Sequence, residues 1–75
     1  MDRRIEKVIR ETFKFDNGKI DMRWTSADIP AWDSMGHLSL IMALEKEFSI
    51  KFEIDEMFQI NNLGDIAHVL GKKLI

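Results

Sequence analysis

Seventy-five residues with 45% apolar side chains suffice for one small core, close to the lower limit for folding without staples, and the absence of cysteine excludes disulfides and thiolate metal sites. Eleven basic and thirteen acidic residues give a formal net charge of −2, which argues against a nucleic-acid binder held by bulk charge. No apolar run approaches the roughly 18 residues needed to span a bilayer, and the N-terminus is charged rather than signal-like, so one cytoplasmic domain over residues 1–75 is expected, without membrane insertion.

Residues 2–15 read as a first helix. Ile5, Val8, Ile9 and Phe13 follow the spacing of a core face, while Arg4, Lys7, Glu11 and Lys14 ride outside. Asp16-Asn17-Gly18 is a turn signal, because Asn and Gly tolerate positive φ at little cost. A long connection then runs to Asp33, with Ile20, Met22, Trp24 and Ile29 available to pin it onto the helices. Unstructured loops of such length are uncommon in small domains and are often functional. Pro30 biases Ile29 away from helix and stiffens the approach to the next corner, with Trp32 just ahead of it either as a loop anchor or as a contact for a bound partner.

Residues 32–48 form the stretch around which the chain is organised. The polar pair Asp33-Ser34 opens a helix that good helix formers carry to Phe48. At about 100° per residue, His37, Leu40, Ile41, Leu44 and Phe48 share one arc, which is the core face. Met35, Leu38 and Met42 share a second arc, separated from the first by Glu45. A helix in so small a domain has one core to face, so the second arc either packs against a short later helix or is free for a partner. Ser34 stands directly above it.

After Phe48 the alternation Ser49-Ile50-Lys51-Phe52-Glu53-Ile54 is a strand pattern without a partner strand, and is read as an extended loop burying Ile50, Phe52 and Ile54. Asp55 is placed to cap a short third helix over 55–60 with Met57, Phe58 and Ile60 as contacts. Asn62 caps a last helix, with Asp65 completing a capping box and Leu63, Ile66, Ala67, Leu70 and Leu74 on its inner face. Lys72 and Lys73 suit its C-terminal end. The fold class is therefore all-α: a small four-helix bundle of three longer helices and one short third helix, with a long first loop.

Charge is unevenly placed. Residues 1–14 carry a net +2, whereas 33–65 carry a net −5, so the half containing Ser34 is the negative pole and would steer a basic partner. Ser34 itself admits two readings. A serine at a helix start ordinarily caps it. The same position suits a phosphodiester, since unpaired N–H groups and the positive end of the helix dipole favour an anion there.

The motif Asp33-Ser34-Met35, followed by Leu40-Ile41-Met42-Ala43-Leu44-Glu45-Lys46-Glu47-Phe48, resembles the attachment helix of the acyl carrier proteins. The order of elements over the whole chain resembles that fold as well. The resemblance implies that Ser34 carries a covalent 4′-phosphopantetheine arm derived from coenzyme A, whose thiol holds acyl groups as thioesters. It implies that Asp33 helps a phosphopantetheinyl transferase and its magnesium engage the site. Met35, Leu38 and Met42 align with the family's docking positions, and Glu45 and Glu47 with its acidic partner contacts. A cargo cleft between the second and third helices would be lined by Leu44, Ile54, Met57 and Phe58. Implied partners are the transferase, an acyl ligase or acyltransferase, and synthase enzymes. The carrier would be a monomer without catalysis of its own.

Gly36 and Ser39 stand where the family commonly places acidic residues, and Lys46 interrupts an acidic run. These departures point to one specialised route of lipid or polyketide biosynthesis rather than general fatty-acid synthesis. An aminoacyl, peptidyl or D-alanyl carrier is the alternative. An unmodified helical adaptor binding through Met35, Leu38 and Met42 is a remoter one. A Ser34–His37–Asp33 relay is poorly arranged on one helix and lacks an oxyanion hole. His68 reads as a surface residue, and no residues are spaced as metal ligands.

Overall fold

The computed structural model describes residues 3–15 and 18–74. Of the expected turn at 16–18, only Gly18 lies within them, at φ 89°. The first helix, α1 (Arg3–Phe13), buries Ile5, Val8, Ile9 and Phe13 on the face their spacing marks. It stops two residues earlier than expected. Lys14 adopts a left-handed φ of 62°, and the Phe15 N–H turns back to the Arg10 carbonyl at 3.0 Å. Arg4 and Lys7, exposed as expected, nevertheless have a partner across the bundle: both reach the Glu47 carboxylate.

The second helix, α2 (Ser34–Phe48), runs against α1 and buries Leu40, Ile41 and Leu44. His37 and Phe48, at the two ends of the same arc, are only half-buried. The Arg4 guanidinium covers the Phe48 ring at 4.3 Å. Ser49 ends α2 in the left-handed region, φ 55°, with its N–H on the Glu45 carbonyl.

Residues 50–53 form neither helix nor strand, and Phe52 is buried as expected. Ile54 is not: it is 73% exposed. The third helix, α3 (Ile54–Met57), begins one residue before Asp55 and ends well short of Ile60. Glu53, rather than Asp55, is its N-cap, because Glu56 reaches back to the Glu53 N–H at 2.7 Å. Phe58, expected as an apolar contact, lies 75% exposed after this helix. Ile60 is buried, and Met57 packs partly on the core.

The capping box at Asn62 and Asp65 forms as its spacing indicates. Asn62 Oδ1 accepts the Asp65 N–H at 2.9 Å, and Asp65 Oδ2 accepts the Asn62 N–H at 3.1 Å. The helix it opens, α4 (Leu63–Lys73), buries Leu63, Ile66, Val69 and Leu70. Ala67 and Leu74 are exposed, so the inner face is turned from the expected one toward Val69. Several apolar residues compete for that face, and the neighbouring helices decide which of them turn inward.

The long connection is stitched to α4 rather than left loose. Leu63 N–H donates to the Trp24 carbonyl at 3.0 Å and Gly64 N–H to the Met22 carbonyl at 2.7 Å, beside an isolated antiparallel bridge between Thr25 and Asn62. Two amides that the start of α4 would leave unpaired are thereby satisfied. Ile29 is fully buried, and Ile20, Met22 and Trp24 pack on the core's edge. Among the described residues no buried side chain is polar or charged, and no helix is long and apolar enough to cross a membrane.

Candidate functional site

The corner before α2 is built from two successive turns. Asp28 closes the first by accepting the Thr25 N–H at 2.9 Å, and the Trp32 N–H closes the second on the Ile29 carbonyl at 2.9 Å. Trp32 is buried and packs on Phe13, ring centroids 5.6 Å apart, which anchors the corner to α1. The chain then doubles back so closely that the Ala31 carbonyl sits against the Gly36 Cα. A Cβ at Gly36 would overlap that oxygen and stand 3.3 Å from the Asp33 carboxylate. Glycine is therefore a steric requirement of the corner.

Asp33 is the N-cap. Its Oδ1 accepts the Gly36 N–H at 2.8 Å, with the backbone extended at φ −93°, ψ −166°. The capping role that a serine at a helix start ordinarily plays is thus already filled, and Ser34 becomes the first helical residue, exposed. Its hydroxyl stands where the amides of the first turn and the helix dipole favour an anion. Beside it opens a depression of about 470 Å³ lined by Ser26, Trp32, Asp33, Ser34, His37, Phe58, Ile60 and Asn61. An exposed hydroxyl, a positive helix end and a neighbouring depression with both polar and apolar walls fit a phosphodiester-linked arm.

His37 does not address Ser34. The Trp32 indole N–H donates to its Nδ1 at 2.9 Å, and its Nε2 lies 2.9 Å from the Met57 carbonyl. Both ring nitrogens are engaged elsewhere, which removes the geometry a Ser34–His37 relay needs. His68 is exposed on α4. Among the described residues, no group of three or more His, Asp or Glu side chains is placed to hold a metal.

Met35, Leu38 and Met42 are 80%, 54% and 59% exposed, so α3 does not cover them. Among the described residues Ile54, Phe58 and Leu74 are the other exposed large apolar side chains, and Phe58 lines the depression beside Ser34. The acidic residues read as partner contacts are placed differently. Glu47 turns toward α1, paired with Arg4 at 3.2 Å and Lys7 at 3.4 Å, and the Arg4 hydrogen bond leads the contacts that hold its carboxyl below the ordinary range. Glu45 accepts the Phe52 N–H at 2.9 Å and so secures the segment after α2. Both carboxylates serve the fold, because each sits on the edge of α2 nearest a neighbouring segment. The residues expected to line a cargo cleft are placed as follows. Leu44 is fully buried in the core, Met57 packs partly on it, and Ile54 and Phe58 are exposed.

Sequence reasoning missed the Trp32–His37–Met57 chain and the approach of Ser26, Ile60 and Asn61 to Ser34. Trp32 and His37 are five positions apart across a helix start, a spacing with no regular signature. Asn61 reaches the corner only because the long connection is tied to the start of α4.

Residues 32–70 match the family model of the phosphopantetheine attachment site. The chain is 40% identical over 45 residues to an acyl carrier protein homolog of Mycoplasma pneumoniae, covering 55% of this chain and 54% of that protein, so it spans about half the length of this relative. To the acyl carrier protein of Clostridium acetobutylicum it is 28% identical over 67 residues, covering 89% of this chain and 87% of that one. The solution structure of a holo acyl carrier protein from Geobacter metallireducens superposes with a TM-score of 0.80 at 37% identity, covering 91% of this chain and 78% of the other. Sequence match, element order and the Asp33-Ser34 corner agree: the chain belongs to the acyl carrier protein family, whose prosthetic group is 4′-phosphopantetheine.

Proposed function

We propose that Ser34 is the attachment residue and that the chain carries acyl groups as thioesters on the arm, presenting them to partner enzymes without catalysing their chemistry. The observation that carries this reading is the division of labour at the corner. Asp33 caps α2, which leaves the exposed Ser34 hydroxyl at the positive helix end with no structural duty. A phosphopantetheinyl transferase using coenzyme A and magnesium supplies the arm, and Asp33 stands beside the hydroxyl where that enzyme and its metal engage. Both ring nitrogens of His37 are occupied by Trp32 and Met57, which supports a carrier rather than a hydrolase.

Met35, Leu38 and Met42 form the docking strip. Methionine adapts its shape to successive partners, here the transferase, an acyl ligase or acyltransferase, and the synthases. Gly36 and Ser39 bring no charge to α2, and Glu45 and Glu47 are drawn into the fold, so recognition leans on this strip more than on an acidic face. This favours a dedicated partner set in a specialised pathway. We place the carrier, a monomer, in the cytoplasm.

The test is the intact mass of the purified protein after incubation with coenzyme A, magnesium and a broad-specificity transferase, beside Ser34→Ala. One added phosphopantetheine on the wild type and none on the variant is the expected outcome. A folded wild type that gains no mass would overturn the carrier reading in favour of an unmodified adaptor.

A further inference from the structure

We propose that His37 closes the way from Ser34 into the core between α2 and α3, which restricts the cargo to short or polar acyl groups held outside that core. The proposal rests on the carrier reading above. Its basis is that the imidazole is held at both nitrogens, by the Trp32 indole N–H and the Met57 carbonyl, each at 2.9 Å. An indole N–H only donates, so Nδ1 accepts and the ring proton sits on Nε2, facing the carbonyl. One neutral side chain thereby joins the end of the long connection, the first turn of α2 and the last residue of α3. The Trp32 and His37 rings lie 12° from parallel at 6.1 Å, so the imidazole cannot swing aside without breaking the contact on both sides.

Behind His37, on the same arc of α2, lie Leu40, Ile41 and Leu44, each 1% exposed or less. An acyl chain reaching them from Ser34 would have to displace the imidazole. That would break both hydrogen bonds of the imidazole at a part-buried position, leaving an indole N–H and a backbone carbonyl without these partners. The apolar packing of α3 does not shut the space by itself, since none of its four residues is buried. The polar ties do: His37 to Met57, and Lys73 to Glu56 at 2.8 Å. Outside this closure the depression beside Ser34 is open. Ser26 and Asn61 offer polar contacts there, and Trp32 and Phe58 apolar ones. Such a mixed wall suits a short chain or one bearing polar groups.

The test loads the wild type, His37→Ala and Trp32→Phe from acetyl-, butyryl- and octanoyl-coenzyme A with the transferase, confirms loading by intact mass, and records thermal unfolding. The melting temperature of each unloaded protein is subtracted, so a merely structural role moves the baseline and leaves the chain-length slope unchanged. The wild type is expected to show no rise from acetyl to octanoyl. His37→Ala is expected to rise by about 3 °C or more for each methylene taken into the core. Trp32→Phe, which removes the indole donor together with part of the ring's bulk against Phe13, should rise less, and it carries the test if His37→Ala does not fold. A chain-length rise in the wild type overturns the proposal, as does a flat response in every folded variant. A wild type that takes up no acyl-phosphopantetheine overturns the carrier reading instead.

Discussion

The Asp33 carboxylate accepts the Gly36 N–H at 2.8 Å, a bond that the adjacent Ser34 hydroxyl would ordinarily be credited with. The two side chains therefore separate in mutagenesis. Asp33→Ala should lower stability by about 1 kcal/mol, the worth of an N-cap, whereas Ser34→Ala should change it by about 0.5 kcal/mol or less. Urea unfolding of both variants checks this. A larger loss for Ser34→Ala would return the capping role to the serine.

Gly36→Ala opposes two effects of different size. Alanine improves helix propensity over glycine by about 1 kcal/mol. Its Cβ would overlap the Ala31 carbonyl, and forcing that contact apart costs about 1–3 kcal/mol. Net destabilisation is expected, with a slower transferase reaction because the Asp33-Ser34 corner must shift. Denaturation midpoints and initial rates of mass gain measure the two consequences separately.

Stability should fall in acid for an identifiable reason. The Glu53 N–H, followed by Lys73, holds the Glu56 carboxyl below its ordinary value of 4.5, and Arg4 does the same first for Glu47. A carboxyl lowered by folding contributes stability that is fully present above its unfolded value. That contribution is lost as pH falls from 4.5 through the lower folded value. Glu56→Gln should thus be less stable than the wild type near neutrality, and the gap should narrow as pH drops below 4.5. Thermal melts of the pair across this range decide it.

The exposed strip on α2 can be altered without touching the core. Met42→Ser should leave stability within about 0.5 kcal/mol of the wild type, since this side chain is already 59% in water. It should weaken turnover by partner enzymes, read as a raised KM for the transferase with the holo product otherwise normal. An unchanged KM would remove Met42 from the docking surface.

The sequence made the helical faces legible where apolar spacing is clean, as at Ile5, Val8, Ile9 and Phe13, and where a cap has a local partner, as at Asn62 and Asp65. It was less informative where several local solutions compete. Glu53 displaced Asp55 as the cap of α3 because Glu56 lies three residues after it, a pairing that only the helix start selects. Ser34 stood out as a site residue through its position in a motif, but its freedom from capping became visible only with the Asp33 geometry. The Trp32–His37–Met57 tie brings together positions up to 25 apart and leaves no local trace. Charge counting also did not show that Glu45 and Glu47 have intramolecular partners, in the Phe52 N–H and in Arg4 with Lys7.

The carbonyls of Met22 and Trp24 that receive the Gly64 and Leu63 amides make the long connection and the start of α4 a single hydrogen-bonded junction between segments some forty residues apart. Neither side can open alone. Fraying of α4 at its first turn releases the connection, and a connection lifted from the surface strips that turn of its acceptors. Amide exchange at Leu63 and Gly64 therefore reports on the loop that presents Ser34, although neither residue lies near it in the chain.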